Sequence, residues 1–273
     1  MKVLFCGDIV GRAGRDVVIK EVPRLRRELG LDFVAVNGEN AAAGFGITAK
    51  ICAELHAAGV DCITTGNHVW DQREIVPYIA QDKRLLRPVN FPPGTPGWGA
   101  NLFQTARGQK VVVINVMCRL FMDALDDPFA AADREIGLAP LREVADAILV
   151  DVHAEATSEK QAMAYHLDGR VSVVVGTHTH VPTADHRILP SGTGYLSDAG
   201  MCGDYESVLG LQHDEPVRRF LQKTPGSRAE VATGEGTLSG LAVETDDRTG
   251  LAVRVAAIRI GPTLQESRPT FWE

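Results

Sequence analysis

Short apolar runs recur along the chain, and each one ends in a cluster of glycine and polar residues. The runs cover residues 3–5, 33–36, 62–65, 111–116, 147–152 and 171–175. Runs of this length that are rich in Val and Ile are typical of strands buried on both faces. Helical patterns lie between several of them, at residues 16–29 and at 48–58, where Thr48 provides an N-cap and Gly59 a stop. The pattern predicts successive β-α-β units.

The last part of the chain follows a different pattern. Residues 236–245 and 250–260 alternate apolar and polar positions on either side of Asp246-Asp247-Arg248-Thr249, which predicts an antiparallel hairpin. The stretch 87–108 is rich in Pro and Gly and is interpreted as loop and sheet edge. We therefore expect an α/β fold of the α+β sandwich type, with mixed sheets packed together and flanked by helices, in a single domain spanning 1–273.

Composition narrows the class of protein. The chain has 273 residues, 45% of them hydrophobic, and a formal net charge of −7, which argues against an extended nucleic-acid surface. The apolar stretch at residues 3–6 is too short for a signal peptide or a membrane span, so we expect no membrane association and a cytoplasmic location. The five cysteines show no CxxC spacing and an odd count, which favours buried thiols over disulfides or structural zinc.

The residues at the ends of the apolar runs all carry oxygen or imidazole nitrogen atoms that can act as metal ligands. They are Asp8, Glu39, Asn40, Asn67, His68, His153, His178 and His180. Taken singly, such an Asp is more often a helix N-cap, such an Asn a turn residue and such a His a structural group. In open α/β sheets, however, ligands gather at the carboxyl ends of strands, and burying these groups together is costly unless a cation pairs with them. A set of oxygen and imidazole donors without thiolate indicates Mn, Fe or Zn.

Two metal ions would explain the number of donors. Ions about 3.5–4 Å apart can hold a bridging hydroxide and clamp the oxygens of an in-line phosphoryl displacement. Such a pair needs a bridging carboxylate, for which Glu39 is the candidate. His178 and His180 would share a face if the strand continued through them, whereas in a loop they could reach adjacent metals.

Four motifs carry a resemblance to a known family. Residues 7–12 (GDIVGR), 37–40 (NGEN), 66–71 (GNHVWD) and 176–185 (GTHTHVPTAD) resemble, in order, the motifs of the calcineurin-like metallophosphoesterases. More narrowly, the chain is similar to the YmdB-like bacterial branch, whose members are described as cyclic-nucleotide phosphodiesterases. The chain departs from the superfamily pattern at Val10, where an Asp-x-His motif would place a histidine.

The resemblance implies which residues bind the two metal ions. One metal would be held by Asp8, Glu39, Asn40 and His180, and the other by Glu39, Asn67, His153 and His178. We expect two divalent or mixed-valence ions per chain, with Fe or Mn favoured and Zn or Mg as alternatives. An amide oxygen in place of an imidazole shifts the preference toward harder ions, which leaves the identity of the metal open.

The resemblance also assigns roles outside the ligand set. His68 would be the general acid, and Asp71 would either orient it or cap the helix that begins near Arg73. The implied activity is hydrolysis of phosphodiesters, with cyclic nucleotides as the expected substrates, and the partner is a small phosphoester.

Three alternatives remain open at this point. The substrate could be a phosphomonoester, as in a nucleotidase. The glycines at 7, 11 and 14 could form a dinucleotide-binding turn, although the tight spacing of such turns is missing and the histidines stay unexplained. A regulatory metal-binding protein with little turnover is the third. We further expect the loop 117–129 to cover the pocket, and base rates favour a homo-oligomer.

Overall fold

The computed structural model describes residues 1–224 and 226–272, and its strands and helices alternate along most of the chain. In chain order the elements are β1 (Lys2–Val10), α1 (Gly11–Leu29), β2 (Phe33–Asn40), α2 (Ala49–Ala57), β3 (Cys62–Thr64), α3 (Ile75–Ile79), β4 (Ala100–Gln104), β5 (Lys110–Met117), α4 (Pro128–Leu138), β6 (Ala147–His153), α5 (Thr157–Leu167), β7 (Val173–Thr177), β8 (Arg187–Ile188), β9 (Gly194–Leu196), β10 (Met201–Cys202), α6 (Asp214–Gln222), β11 (Leu238–Thr245) and β12 (Ala252–Ile260). A 3₁₀ turn follows at Thr270–Trp272.

The strands form two mixed sheets. The first has the order β12-β11-β1-β2-β3, with β10 paired to β1. In it β1 runs parallel to β2 and β10 and antiparallel to β11, which forms the predicted hairpin with β12. The second sheet has the order β4-β5-β6-β7-β9-β8, in which β5, β6, β7 and β9 are parallel and the edge strands β4 and β8 are antiparallel.

The two sheets pack against each other, and helices cover their outer faces. Because side chains alternate along a strand, Val3 and Phe5 of β1 enter the core between the sheets, where Leu149 of β6 meets them. Leu4 of β1 faces the other way and packs with Leu25 of α1. A third apolar cluster lies between the second sheet and α4 and α5. The predicted fold class is confirmed, and burial on both faces explains why the strands read as continuous apolar runs.

Element ends differ from the prediction in a way that matters for the site. β1 continues to Val10 and β2 to Asn40, because Asp8 pairs with Asn37 and Val10 with Asn40 across the two strands. The polar residues predicted to follow these strands therefore belong to them. Helix α1 begins at Gly11 rather than near residue 16, since Gly11 has a φ of 58° that lets the chain turn directly from strand to helix. The predicted N-cap of α2 is confirmed, with Thr48 accepting from the Ile51 N–H at 3.3 Å.

Two predictions from composition can be compared with the structure. All five cysteines are buried, and none forms a disulfide within the described residues. No helix in the described part of the chain is long and apolar enough to cross a membrane.

Candidate metal centre

The predicted donor residues meet at one edge of the two sheets. Asp8 and Glu39 come from the carboxyl ends of β1 and β2, while His153 ends β6 and His178 follows β7. The backbone N–H of His178 donates to Asp8 Oδ2 at 3.2 Å and so joins the two sheets at the site. The ligand atoms of Glu39, His153 and His178 lie within 4.8 Å of one another, as do those of Asp8, Glu39 and His180. The two groups share Glu39.

The first group is arranged around the imidazole of His153. Thr177 Oγ1 donates to Asp151 Oδ1 at 2.7 Å, so this hydroxyl accepts from His153 Nδ1, which lies 2.9 Å away. The ring proton therefore sits on Nδ1, and Nε2 carries a lone pair. Yet Nε2 lies 2.9 Å from Asn67 Oδ1 and 3.1 Å from Glu39 Oε2, which are acceptors too. Three lone-pair atoms that meet without a hydrogen repel one another, and a cation between them converts that repulsion into coordination.

The second group repeats this arrangement around His180. The ring donates from Nδ1 to the backbone carbonyl of Leu209 at 3.0 Å, which leaves a lone pair on Nε2. Nε2 faces Asn40 Oδ1 at 3.3 Å and Asp8 Oδ1 at 4.0 Å. The Asn40 amide is held in this orientation because its Nδ2 donates to the Gly44 carbonyl at 3.0 Å. A second set of acceptors thus converges on one point.

The pKa values of the buried carboxylates also indicate that a positive charge is needed to keep them ionised. Burial, followed by the negative charges of Glu39, Asp198 and Asp151, raises the pKa of Asp8 well above its usual range. Its Oδ1 atom is buried and has no hydrogen-bond partner among the described residues. Burial alone would raise the pKa of Glu39 as well, whereas positive charge on the neighbouring imidazoles, His153 first, lowers it to about 2, so the ionised Glu39 carboxylate depends on a cation beside it. An orphaned carboxylate oxygen beside converging donors fits metal ions.

His178 completes the first group and contacts a residue that sequence reasoning missed. Burial, helped by the nearby His153, lowers the pKa of His178 to about 3, so its ring is neutral at physiological pH and able to coordinate. Its Nε2 lies 3.3 Å from Glu155 Oε2, on a side chain that is 49% exposed. Glu155 follows His153 by two residues, and that spacing was the available signal. His178 and His180 both have positive φ, 93° and 62°, a strained conformation of the kind that clusters at functional sites.

His68 stands beside the donor groups without joining them. Its backbone N–H donates to Glu39 Oε2 at 3.3 Å, and its Nδ1 lies 2.8 Å from Asp71 Oδ2. Because that carboxylate accepts from Nδ1, the other ring nitrogen, Nε2, is left for the pocket. The alternative role of Asp71 as a helix cap is wrong, since α3 begins at Ile75 with Glu74 at its N-cap position. Asp71 therefore orients His68.

A buried ion pair supports the loop that carries His178 and His180. Lys160 Nζ on α5 and Asp198 Oδ2 are 2.7 Å apart, and both side chains are fully buried. Between the two histidines, Thr179 donates from Oγ1 to Asp198 at 2.5 Å, and its hydroxyl accepts from Lys160 Nζ at 3.2 Å. The strained loop is thus clamped at its centre. A single Lys within a helix gives no sequence signal of this role, which depends on tertiary packing.

Comparison with known proteins assigns the chain to a family. The family model described as YmdB-like protein matches residues 4–258. The chain belongs to the YmdB-like family. A relative from Bacillus subtilis (strain 168), a 2′,3′-cyclic-nucleotide 2′-phosphodiesterase, is 48% identical over 260 residues that span 95% of this chain and 97% of the relative. The family resemblance drawn from the four motifs is confirmed.

Solved structures agree with this YmdB-like assignment. A hypothetical protein from Thermus thermophilus is 41% identical, with a TM-score of 0.88 over 96% of this chain and 99% of the other. A protein from Mycoplasma pneumoniae described as a novel phosphatase is 33% identical, with a TM-score of 0.87 over 100% of this chain and 95% of the other. The predicted enzyme class, a hydrolytic phosphoesterase, is confirmed by these relatives.

In this YmdB-like protein the packing around the glycines contradicts the dinucleotide-binding alternative. In such a turn the glycines open the backbone to a pyrophosphate. Here a Cβ at Gly7 would strike the carbonyl of Gly200, and one at Gly14 the carbonyl of Cys202. These glycines allow β10 to pack closely against β1 and α1, and the space beside them is filled by protein.

The donor groups open into a cavity of about 290 Å³. Its lining residues are Val10, Glu39, Asn40, Gly44, Phe45, His68, Glu155, His178, Thr179, His180, Leu209 and Leu211. The expectation that loop 117–129 covers this pocket is wrong, because none of the lining residues comes from it. In the described part of the chain the lining contains no Lys or Arg. Arg12, which follows Gly11 of the first motif, is largely exposed and pairs with Asp16.

Proposed function

We propose that the chain is a dinuclear metal-dependent phosphodiesterase that hydrolyses 2′,3′-cyclic nucleotides. The observation that carries the proposal is the pair of acceptor clusters around His153 Nε2 and His180 Nε2, which share Glu39 and lack hydrogens to bridge their lone pairs. The relative that is 48% identical is a 2′,3′-cyclic-nucleotide 2′-phosphodiesterase, which supports the choice of substrate.

In this proposal the ligands divide as the family resemblance implies. Asp8, Glu39, Asn40 and His180 would hold one metal, and Glu39, Asn67, His153 and His178 would hold the other. When bound, two metal ions supply an acidified water as nucleophile and neutralise the phosphoryl oxygens. Manganese or iron suits a set of carboxylate, amide and imidazole donors.

His68 moves the proton that the leaving oxygen needs. Asp71 accepts from Nδ1 at 2.8 Å and stabilises the protonated ring, so that Nε2–H can donate toward the phosphoryl group in the cavity. The Phe45 ring makes a T-shaped contact with the imidazole, at 5.2 Å between ring centroids. In a cyclic diester the leaving oxygen stays attached to the product, and the proton from His68 converts that oxygen into a hydroxyl group.

The lining of the cavity favours a diester over a monoester. A phosphomonoester carries one more anionic oxygen than a diester, and enzymes usually meet that charge with Lys or Arg. The described lining residues include neither, while they do include the exposed carboxylate of Glu155. A phosphomonoesterase is the second candidate, because the Mycoplasma pneumoniae relative is described as a phosphatase.

The proposal is tested by metal content and turnover together. The protein is stripped with a chelator, reloaded with Mn²⁺ or Fe²⁺, and analysed for bound metal and for hydrolysis of adenosine 2′,3′-cyclic phosphate and p-nitrophenyl phosphate. We expect two metals per chain, loss of metal in Asp8→Ala, and retained metal with about 10²–10⁴-fold slower turnover in His68→Ala. His213→Ala, at an exposed histidine paired with Asp214, is the control and should match wild type. Absence of bound metal and of diesterase activity after reloading would overturn the proposal.

A further inference from the structure

Two kinds of side chain line the cavity. The polar ones include Glu39, Asn40, His178 and His180 of the candidate metal centre. The apolar ones are Val10, Phe45, Leu209 and Leu211, and the last three are called the apolar wall. Leu209 leaves 50% of its surface exposed there, whereas Val10 is buried. A metallophosphoesterase needs no apolar surface for phosphoryl chemistry itself, so the wall calls for another explanation.

Phe45 is held in place by residues of the site. The Asn40 amide, which faces His180 through Oδ1, donates from Nδ2 to the carbonyl of Gly44, the residue directly before Phe45. The carbonyl of Phe45 itself accepts from Gln72 Nε2 at 2.8 Å. The guanidinium of Arg228 lies 5.3 Å from the centroid of the Phe45 ring. The ring is therefore oriented before substrate arrives, which reduces the entropic cost of a contact.

Leu209 is hydrogen-bonded to another candidate ligand of the same centre, His180. Its carbonyl accepts from His180 Nδ1 at 3.0 Å, and its φ is 55°, a region that a leucine rarely adopts. Such strain persists where surrounding contacts impose it, commonly at ligand-binding positions. The hydrogen bond that sets the His180 tautomer thus also places the Leu209 side chain at the cavity.

We propose that Phe45, Leu209 and Leu211 form the subsite that receives the nucleobase of the cyclic-nucleotide substrate. The inference rests on the proposed function, since it takes the phosphate to lie at the donor groups. With the phosphate there, the base is the flat, weakly polar part of the substrate, and the wall is the apolar surface adjoining the donors. Because the three wall side chains carry no hydrogen-bonding group, the subsite accepts all four bases and favours the larger purines.

The test compares two substrates with the same reacting ring. Adenosine 2′,3′-cyclic phosphate carries a base, whereas glycerol 1,2-cyclic phosphate offers the five-membered cyclic phosphate without one. Both are assayed on the metal-loaded wild type and on Phe45→Ala and Leu211→Ala. Leu138→Ala, at a leucine exposed on α4, is the matched control. Metal content is measured in every variant.

We expect the nucleotide to have the lower KM on the wild type. In Phe45→Ala its KM should rise about tenfold or more, as base–aromatic contacts imply, while the KM for the glycerol substrate stays unchanged. Leu211→Ala should shift KM in the same direction without touching His68. Metal content should equal that of wild type in both variants.

Two further outcomes separate the subsite from the reaction. An equal rise in KM for both substrates in Phe45→Ala would overturn the subsite proposal, because the effect would then come from the contact of Phe45 with His68. The proposed phosphodiesterase activity would still stand. A wild type without preference for the nucleotide would overturn it too. If the reloaded wild type hydrolyses neither substrate, the proposed function itself fails.

Discussion

Gly66 offers a way to block the candidate metal centre without removing any ligand. The φ angle of Gly66 is not in the positive range that favours glycine, so an alanine can adopt its backbone conformation. An added Cβ, however, would overlap His153 Nε2, His153 Cδ2 and Glu39 Oε2. Gly66→Ala therefore places a methyl group where the two ligands converge, while every charge and donor of the site remains.

The size of the effect follows from the geometry. To reach ordinary van der Waals contact at 3.4 Å, each of these atoms must retreat by about 1 Å or more. His153 and Glu39 are 0% and 1% exposed, and their ligand atoms lie within 4.8 Å of those of His178, so relief of the overlap must move these atoms away from the point where they converge. A displacement of about 1 Å costs about 10²-fold in rate, and overpacking costs about 1–3 kcal/mol of stability. We expect loss of the metal assigned to Asn67, His153 and His178.

The assay measures metal per chain by elemental analysis after dialysis, the diesterase kcat, and the denaturant midpoint of the metal-free protein. The control is Gly137→Ala in α4, where a Cβ meets nothing within 4 Å and where helix propensity should add about 0.5–1 kcal/mol. Retention of two tightly bound metals and of wild-type kcat in Gly66→Ala would refute the reasoning, because it would mean that the ligands lie elsewhere when the metals are bound.

Three more predictions follow from the site. Glu155→Gln should lower the KM for p-nitrophenyl phosphate relative to bis-p-nitrophenyl phosphate, because it removes a negative charge from a cavity whose described lining contains no Lys or Arg; equal changes for both substrates would exclude this selective role. Lys160→Met should cost about 3–5 kcal/mol in urea unfolding, because it leaves Asp198 buried and unpaired, whereas Lys50→Met at an exposed position should stay within about 0.5 kcal/mol. Asp71→Asn should slow turnover by about tenfold or more without metal loss, because the protonated form of His68 loses its anionic partner; a reduced metal count would instead make Asp71 a support of the ligands.

Local pattern was sufficient for much of the fold. The apolar runs predicted the strands, and the alternation near the end of the chain predicted the β11–β12 hairpin, since side-chain period and turn residues are short-range properties. Strand ends were harder to predict. β1 and β2 continue through Asp8 and Asn40 because neighbouring strands supply hydrogen bonds, which a single-chain pattern does not contain.

The candidate ligands were found from the sequence because each one ends or follows an apolar strand, and the carboxyl ends of parallel strands meet at one edge. The residues that surround these ligands were not predicted from the sequence. Asp151 had a signal, since it lies two residues before His153 on the same strand and therefore on the same face. Lys160, Phe45 and Leu209 had none, because they come from a helix and two loops whose approach to the site depends on packing.

The sequence by itself determined which side chains are candidate metal ligands and in what order they occur, because ligand chemistry belongs to residue types and strand-end positions follow from local periodicity. Only the tertiary structure decided how those groups are used. The tautomers of His153 and His180, the unpaired oxygen of Asp8 and the apolar wall of the cavity depend on contacts between residues distant in the chain. Such contacts form when the two sheets pack together, and no local pattern specifies their geometry.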